Sequence, residues 1–144
     1  MPSVKVATTI RREKDAVYQA LKKLDDFPSF LKDVREIKIR SSNENKIISD
    51  WKVDIDGTPI EWTQETTFDK DEIRFRMLEG DYEKYEGSWL LRESGCGTTR
   101  VELQAEFKWG VPGLERFVGP TLEKQAIRSL RGMLLAVRRK LQKK

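Results

Sequence analysis

The sequence predicts an α+β fold in which a curved antiparallel sheet wraps around one long C-terminal helix, with two short helices after the first strand. Three observations carry this expectation. Leu122, Ala126, Leu130, Met133, Leu134, Val137 and Leu141 recur at three- and four-residue spacing, so they line one face of a terminal helix. Ahead of them the chain alternates apolar and polar residues in run after run, the period of half-buried strands. Large rings, Trp51, Trp62, Phe75, Trp89 and Phe107, share the inward side of that alternation. A stripe this wide is not left in water, so the helix is expected across the concave side of the sheet. Rings of this size on a curved sheet favour a hollow suited to an apolar ligand.

Each element has its own signature. Val4, Val6, Thr8 and Ile10 alternate with Lys5, Ala7 and Thr9 as a first strand. From Lys14 the period changes to Val17, Ala20, Leu21 and Leu24, a helix ending before Asp25 and Asp26. A second short helix follows, with Asp26 as its cap and Pro28 in a first turn, where a missing N–H leaves nothing unpaired. Phe27, Phe30 and Leu31 then plug one end of the core. Six strands are expected over residues 34–40, 46–55, 58–68, 72–77, 84–92 and 98–109. Between them lie Asn43 and Asn45, Asp56 and Gly57, Asp69 and Asp71, Gly80 and Asp81, and Gly95, Cys96 and Gly97, residues that accept tight turns and give antiparallel pairing.

Residues 110–120 read as the one sizeable irregular stretch. Two roles stand open for it: an ordinary connector, or a glycine-hinged gate with Leu114, Phe117 and Val118 as an apolar lip. Gly132 interrupts the terminal helix at a cost of about 1 kcal/mol relative to alanine. Close approach of helix to sheet, or room for a ligand, is the expected return.

Composition narrows the chemistry. The 144 residues fit a single domain, 1–144, and with 38% hydrophobic and 36% charged residues no run is apolar enough to span a bilayer. The first residues enter alternation directly and lack a secretory pattern, so a soluble, cytoplasmic protein is expected. Cys96 is the single cysteine, which excludes an internal disulfide and fits a reducing compartment. There is no histidine, which removes imidazole bases, histidine triads and histidine-ligated metals. No phosphate loop, zinc spacing or nucleophile motif appears, and neither a metal, a cofactor nor a catalytic set is expected.

The net charge is +4, with Lys124, Arg128, Arg131, Arg138, Arg139, Lys140, Lys143 and Lys144 gathered at the C-terminal end. A solvated helix face that complements the helix dipole accounts for such a cluster. Contact with an anionic membrane or with ribosomal RNA is the alternative, whereas DNA binding is not expected because the rings share a face with aliphatic residues.

The inward face carries Ser49, Trp51, Val53 and Ile55, then Ile60, Trp62, Gln64, Thr66 and Phe68, then Ile73, Phe75 and Met77. The candidate ligand-binding residues are Trp51, Val53, Trp62, Gln64, Phe75, Met77, Trp89 and Phe107 from the strands, with Phe117, Leu130 and Leu134 from the helical side. Gln64, Ser49 or Thr66 would orient a polar head, and the same residues also read as ordinary core. A buried Gln64 without a partner costs about 1–3 kcal/mol, so it must meet backbone, water or ligand. Glu61, Glu65, Glu86, Glu102 and Glu106 point outward near Lys52, Arg74, Arg76 and Lys108, as expected of charge pairing on a wet face. Glu79 either continues the inward register of Phe75 and Met77 or belongs to the following turn.

A family resemblance sits on these residues. Thr9-Ile10 leading into Val17-Tyr18, the run Phe27-Pro28-Ser29-Phe30-Leu31-Lys32-Asp33-Val34, the segment Tyr85-Glu86-Gly87-Ser88-Trp89 and the terminal helix together resemble the START-like (helix-grip) superfamily of polyketide cyclase/dehydrase and coenzyme Q-binding proteins. The likeness spans nearly the whole chain, and its motifs are structural. It implies a deep apolar cavity between sheet and terminal helix. The functions it implies are carriage of a lipid, quinone or polyketide-like molecule, aromatic polyketide cyclase or dehydratase activity, or interaction with the ribosome. No catalytic set of the cyclases maps onto this chain, and the largely apolar inward face favours a non-enzymatic carrier.

Overall fold

The structure, a computed structural model, describes residues 3–31, 33–55, 58–80, 82–109 and 114–142, with side chains for all of these but 55, 58, 82, 83, 109, 114–123, 125 and 126. Strand β1 (Ser3–Ile10) leads into α1 (Lys14–Lys22) and a 3-10 helix (Leu24–Ser29). Then come β2 (Val34–Ser42), β3 (Lys46–Ile55), β4 (Thr58–Phe68), β5 (Glu72–Gly80), β6 (Tyr82–Glu93), β7 (Thr99–Trp109) and α2 (Leu114–Gln142). The seven strands form one antiparallel sheet in the order β1-β7-β6-β5-β4-β3-β2. From β2 to β7 consecutive strands pair as hairpins, and β7 pairs in turn with β1, so β1 and β2 form the two edges.

Period two decides which side of each strand is buried. On β7, Val101, Leu103, Ala105 and Phe107 lie at 0–3% exposure, while Glu102, Gln104 and Glu106 between them face outward. On β1, Val4, Val6 and Ile10 fill the same core. Leu130, Leu134 and Val137 bury the expected face of α2, joined by Ala136 and, partly, by Ile127, Met133 and Leu141. The helix packs chiefly against β1, with further contacts to β7 and β3. Its last turn is held by polar contacts: Arg12 Nη1 donates to the Leu141 carbonyl at 3.0 Å, and the Arg11 N–H donates to Gln142 Oε1 at 2.8 Å.

Four local expectations change. The second short helix starts at Leu24 rather than at a cap on Asp26. Leu24 and Phe27 are both buried three residues apart, the spacing that superposes side chains in a 3-10 helix. Asp26 instead accepts a 2.5 Å hydrogen bond from Lys140 Nζ, which ties the end of α2 to this helix and lies 4.5 Å from the Phe30 ring centroid. That bond, foremost, holds the Asp26 carboxyl below its ordinary pKa.

Strand β5 runs on to Gly80 through a bulge, because the register moves from Gln64 opposite Met77 to Thr63 opposite Glu79. The extra residue, Leu78, reverses the alternation. Glu79 is therefore exposed on the outer face, where its charge acts on Arg40, and it does not continue the inward register.

Helix α2 begins at Leu114, so residues 114–120 are helical and not irregular. Leu114, Phe117 and Val118 already follow the helical spacing of the stripe behind them, and Gly119 and Pro120 do not interrupt it. The side chains of that proposed lip, and all of residues 110–113, lie outside the described residues, as do the side chains of Leu122 and Ala126. Gly132 is exposed, and a Cβ there would meet nothing within 4 Å, so it brings nothing into close approach.

Candidate functional site

The inner face of β3, β4, β5 and β6 gathers the candidate residues. Trp51 stands opposite Trp62 across β3 and β4, and their rings stack at a centroid distance of 5.6 Å and an interplanar angle of 12°. The ring chain continues on both sides. Phe27 meets Trp51 edge-on at 6.1 Å, Tyr85 meets Trp62 at 5.2 Å, and Phe75 lies 5.4 Å from Tyr85. Together these rings form a wall across the sheet.

Beside the rings, on the same inward face of β3 and β4, runs a line of buried polar side chains. Ser49 is opposite Gln64, which is opposite Met77, and Thr66 is opposite Phe75. Ser49, Gln64 and Thr66 are 0%, 4% and 1% exposed. The Trp51 indole N–H donates to Ser49 Oγ at 2.9 Å, and the Trp62 indole N–H donates to Gln64 Oε1 at 3.0 Å. Gln64 Nε2 in turn donates to Thr66 Oγ1 at 2.9 Å. Gln64 thus has side-chain partners for its amide oxygen and for one N–H of its amide nitrogen.

Glycine shapes the floor. Gly87 on β6 is opposite both Phe75 and Ala105, and a Cβ there would lie 2.0 Å from the Gln104 carbonyl oxygen and 2.8 Å from Phe75 Cζ. Only the absent side chain lets the Phe75 ring lie over this strand.

The other candidates lie around this centre. Val53 is buried between Val34 and Ile60, one register step beyond the stacked indoles. Met77 is partly buried beside Gln64. Trp89 belongs to the next row, opposite Ile73 and Leu103, within the core. Phe107 is buried opposite Tyr85, and Leu130 and Leu134 reach the core from α2. The side chain of Phe117 lies outside the described residues. Tyr85 and Phe27 join the wall without having been counted among the candidates, although both stand in the segments that carry the family resemblance. The signal for Tyr85 was its inward parity with Gly87 and Trp89.

On β3, β4 and β5 the described charged side chains lie on the outer face. Among the described residues, the buried polar side chains are Ser, Thr and Gln only. Arg76 bonds Glu65 at 3.0 Å and, ahead of Lys46, holds that carboxyl below its ordinary pKa. Asp50 is lowered likewise, first by the Thr63 hydroxyl at 2.7 Å and then by Arg40 at 2.6 Å. Carboxylates lowered in this way stay ionised and are poor general acids. Two open hollows of about 720 and 600 Å³ lie on this outer face, walled by such pairs. Among the described residues no group of Cys, Asp and Glu is placed to hold a metal ion, and no described helix is long and apolar enough to cross a membrane. On α2, Lys140 is committed to Asp26 and Arg138 reaches Thr8 at 3.5 Å, so part of the basic cluster is used within the fold.

Residues 10–133 match the model of the family described as polyketide cyclase / dehydrase and lipid transport. The chain belongs to this family. Among solved structures, TTHA0849 from Thermus thermophilus is similar at a TM-score of 0.91 and 23% identity, over 97% of each chain. A START superfamily protein from Mycobacterium smegmatis follows at 0.82 and 16%, again over 97% of each. The Zhui aromatase/cyclase from a Streptomyces species reaches 0.81 and 16%, over 98% of this chain and 96% of that one. At these identities the likeness is one of fold, and the fold is the START, or helix-grip, fold. No curated protein matches the chain in sequence.

Proposed function

We propose that this family member binds and carries a hydrophobic small molecule, a lipid, quinone or polyketide-like compound, on the inner face between the sheet and α2. The observation that carries this reading is the pairing of a continuous aromatic wall with buried polar side chains that hold no charge. Such a surface gives an apolar molecule large contact area and a few fixed polar contacts for orientation. Proton transfer calls for a group that titrates near the working pH, and the buried serine, threonine and glutamine side chains do not. Holding a ligand is therefore favoured over transforming one. The second reading, cyclisation or dehydration of an aromatic polyketide, draws on the aromatase/cyclase among the structural neighbours and on the Tyr85 phenol, which stands on the wall.

Native mass spectrometry and solvent extraction of the purified protein test the reading, with binding of an apolar fluorescent dye as the second measurement. A copurified apolar molecule is expected. Phe75→Lys or Trp62→Lys is expected to abolish dye binding, whereas Glu61→Lys on the outer face leaves it unchanged. Equal loss from both kinds of change, in proteins that remain folded, would overturn the assignment of the face.

A further inference from the structure

Hydrogen-bond polarity along the buried side chains specifies what the ligand must present. An indole nitrogen carries a hydrogen and has no lone pair to offer, so it only donates. The Gln64 atom 3.0 Å from Trp62 Nε1 must then be the amide oxygen, which fixes the side-chain flip without reference to anything else. The Gln64 nitrogen in consequence faces Thr66, and Thr66 Oγ1 must accept at 2.9 Å. The same argument makes Ser49 Oγ an acceptor from Trp51 at 2.9 Å. Acceptor capacity is consumed at each step, and donor capacity is left over. Among the described residues, the hydroxyl hydrogens of Ser49 and Thr66 and the second N–H of Gln64 meet no acceptor, at exposures of 0%, 1% and 4%. Buried donors left unpaired are costly, so their surplus marks a place for an acceptor.

We propose that the ligand is a neutral molecule whose carbonyl-type oxygen, of a ketone, quinone or ester, accepts from this donor set at Ser49, Gln64 and Thr66. The proposal rests on the reading above, that this face holds an apolar ligand. A carboxylate also accepts, but the buried described residues include no cation to compensate its charge. A pure hydrocarbon fills the wall and leaves the donors unmet.

Three rigid probes of one shape separate these chemistries: fluorene, fluorenone and a fluorene carboxylate. Fluorene tests the apolar face alone, and its failure to bind would overturn both the carrier reading and this one. With fluorene bound, the decisive measurement is the infrared carbonyl stretch of fluorenone on the wild-type protein. The expected band lies below its position in cyclohexane, as for a hydrogen-bonded carbonyl, and Thr66→Val and Ser49→Ala each move it back. In those variants the ratio of fluorenone to fluorene affinity is expected to fall about tenfold, with fluorene binding kept. A band at the cyclohexane position, a ratio unchanged in both variants, or tighter binding of the carboxylate than of fluorenone would overturn the proposal while leaving the carrier reading intact.

Discussion

Trp62 donates its indole hydrogen to Gln64 Oε1 at 3.0 Å, and that contact sets the direction of the hydrogen bond that follows it. The two residues lie on the same side of β4, two positions apart, so the strand's own pleat brings the ring and the amide together. Stacking of Trp62 on Trp51 holds the indole plane, and the amide then has one orientation in which nothing clashes electrostatically.

Replacement Gln64→Glu tests this arrangement through pH. A carboxyl at this buried position keeps an oxygen for Trp62, but burial disfavours its charged form and raises its folded pKa above the unfolded value. An acid with a raised folded pKa leaves stability intact below its unfolded pKa and loses it as the pH rises. Near pH 4 the variant is expected to approach the wild type, and near pH 8 to fall about 2–4 kcal/mol below it in urea unfolding.

Gly87→Ala is expected to destabilise the protein by about 3 kcal/mol. The new Cβ would lie 2.0 Å from the Gln104 carbonyl oxygen and 2.9 Å from Ala105 Cα, and these backbone atoms cannot rotate aside. Urea midpoints measure the loss, and a change under about 0.5 kcal/mol would contradict the close packing of β6 on β7.

Gly132→Ala has the opposite sign. The position is exposed, helical and open around the missing Cβ, so alanine is expected to stabilise by about 1 kcal/mol with dye affinity unchanged.

What the sequence made legible follows from periodicity. Strands β3 and β4 have the expected bounds because Trp51, Val53, Trp62 and Gln64 keep strict alternation between clear turn residues. Glu79 was ambiguous because one bulge at Leu78 reverses parity, and a bulge leaves no mark in a pattern of apolar and polar letters. The start of α2 was hidden by Gly119 and Pro120, whose local preference for breaking a helix is overridden here. Asp26 read as a cap because local signals favour caps, whereas its partner Lys140 comes from the far end of the chain. The burial of Trp51, Val53, Trp62, Gln64 and Phe75 was visible from parity alone. Their hydrogen-bond order was not, since it depends on pairing between β3 and β4 and on which atoms of Gln64 face Trp62 and Thr66.

The most direct test of the central claim is a nuclear magnetic resonance titration of the nitrogen-15-labelled protein with fluorene. The indole N–H resonances of Trp51 and Trp62 report from the wall itself, and the backbone amides of Lys5, Arg74 and Gln104 report from the hollow on the outer face. Binding on the inner face predicts saturable shifts of the Trp51 and Trp62 indole signals with those three amides unmoved. Saturable shifts confined to Lys5, Arg74 and Gln104, with both indoles unmoved, would contradict it.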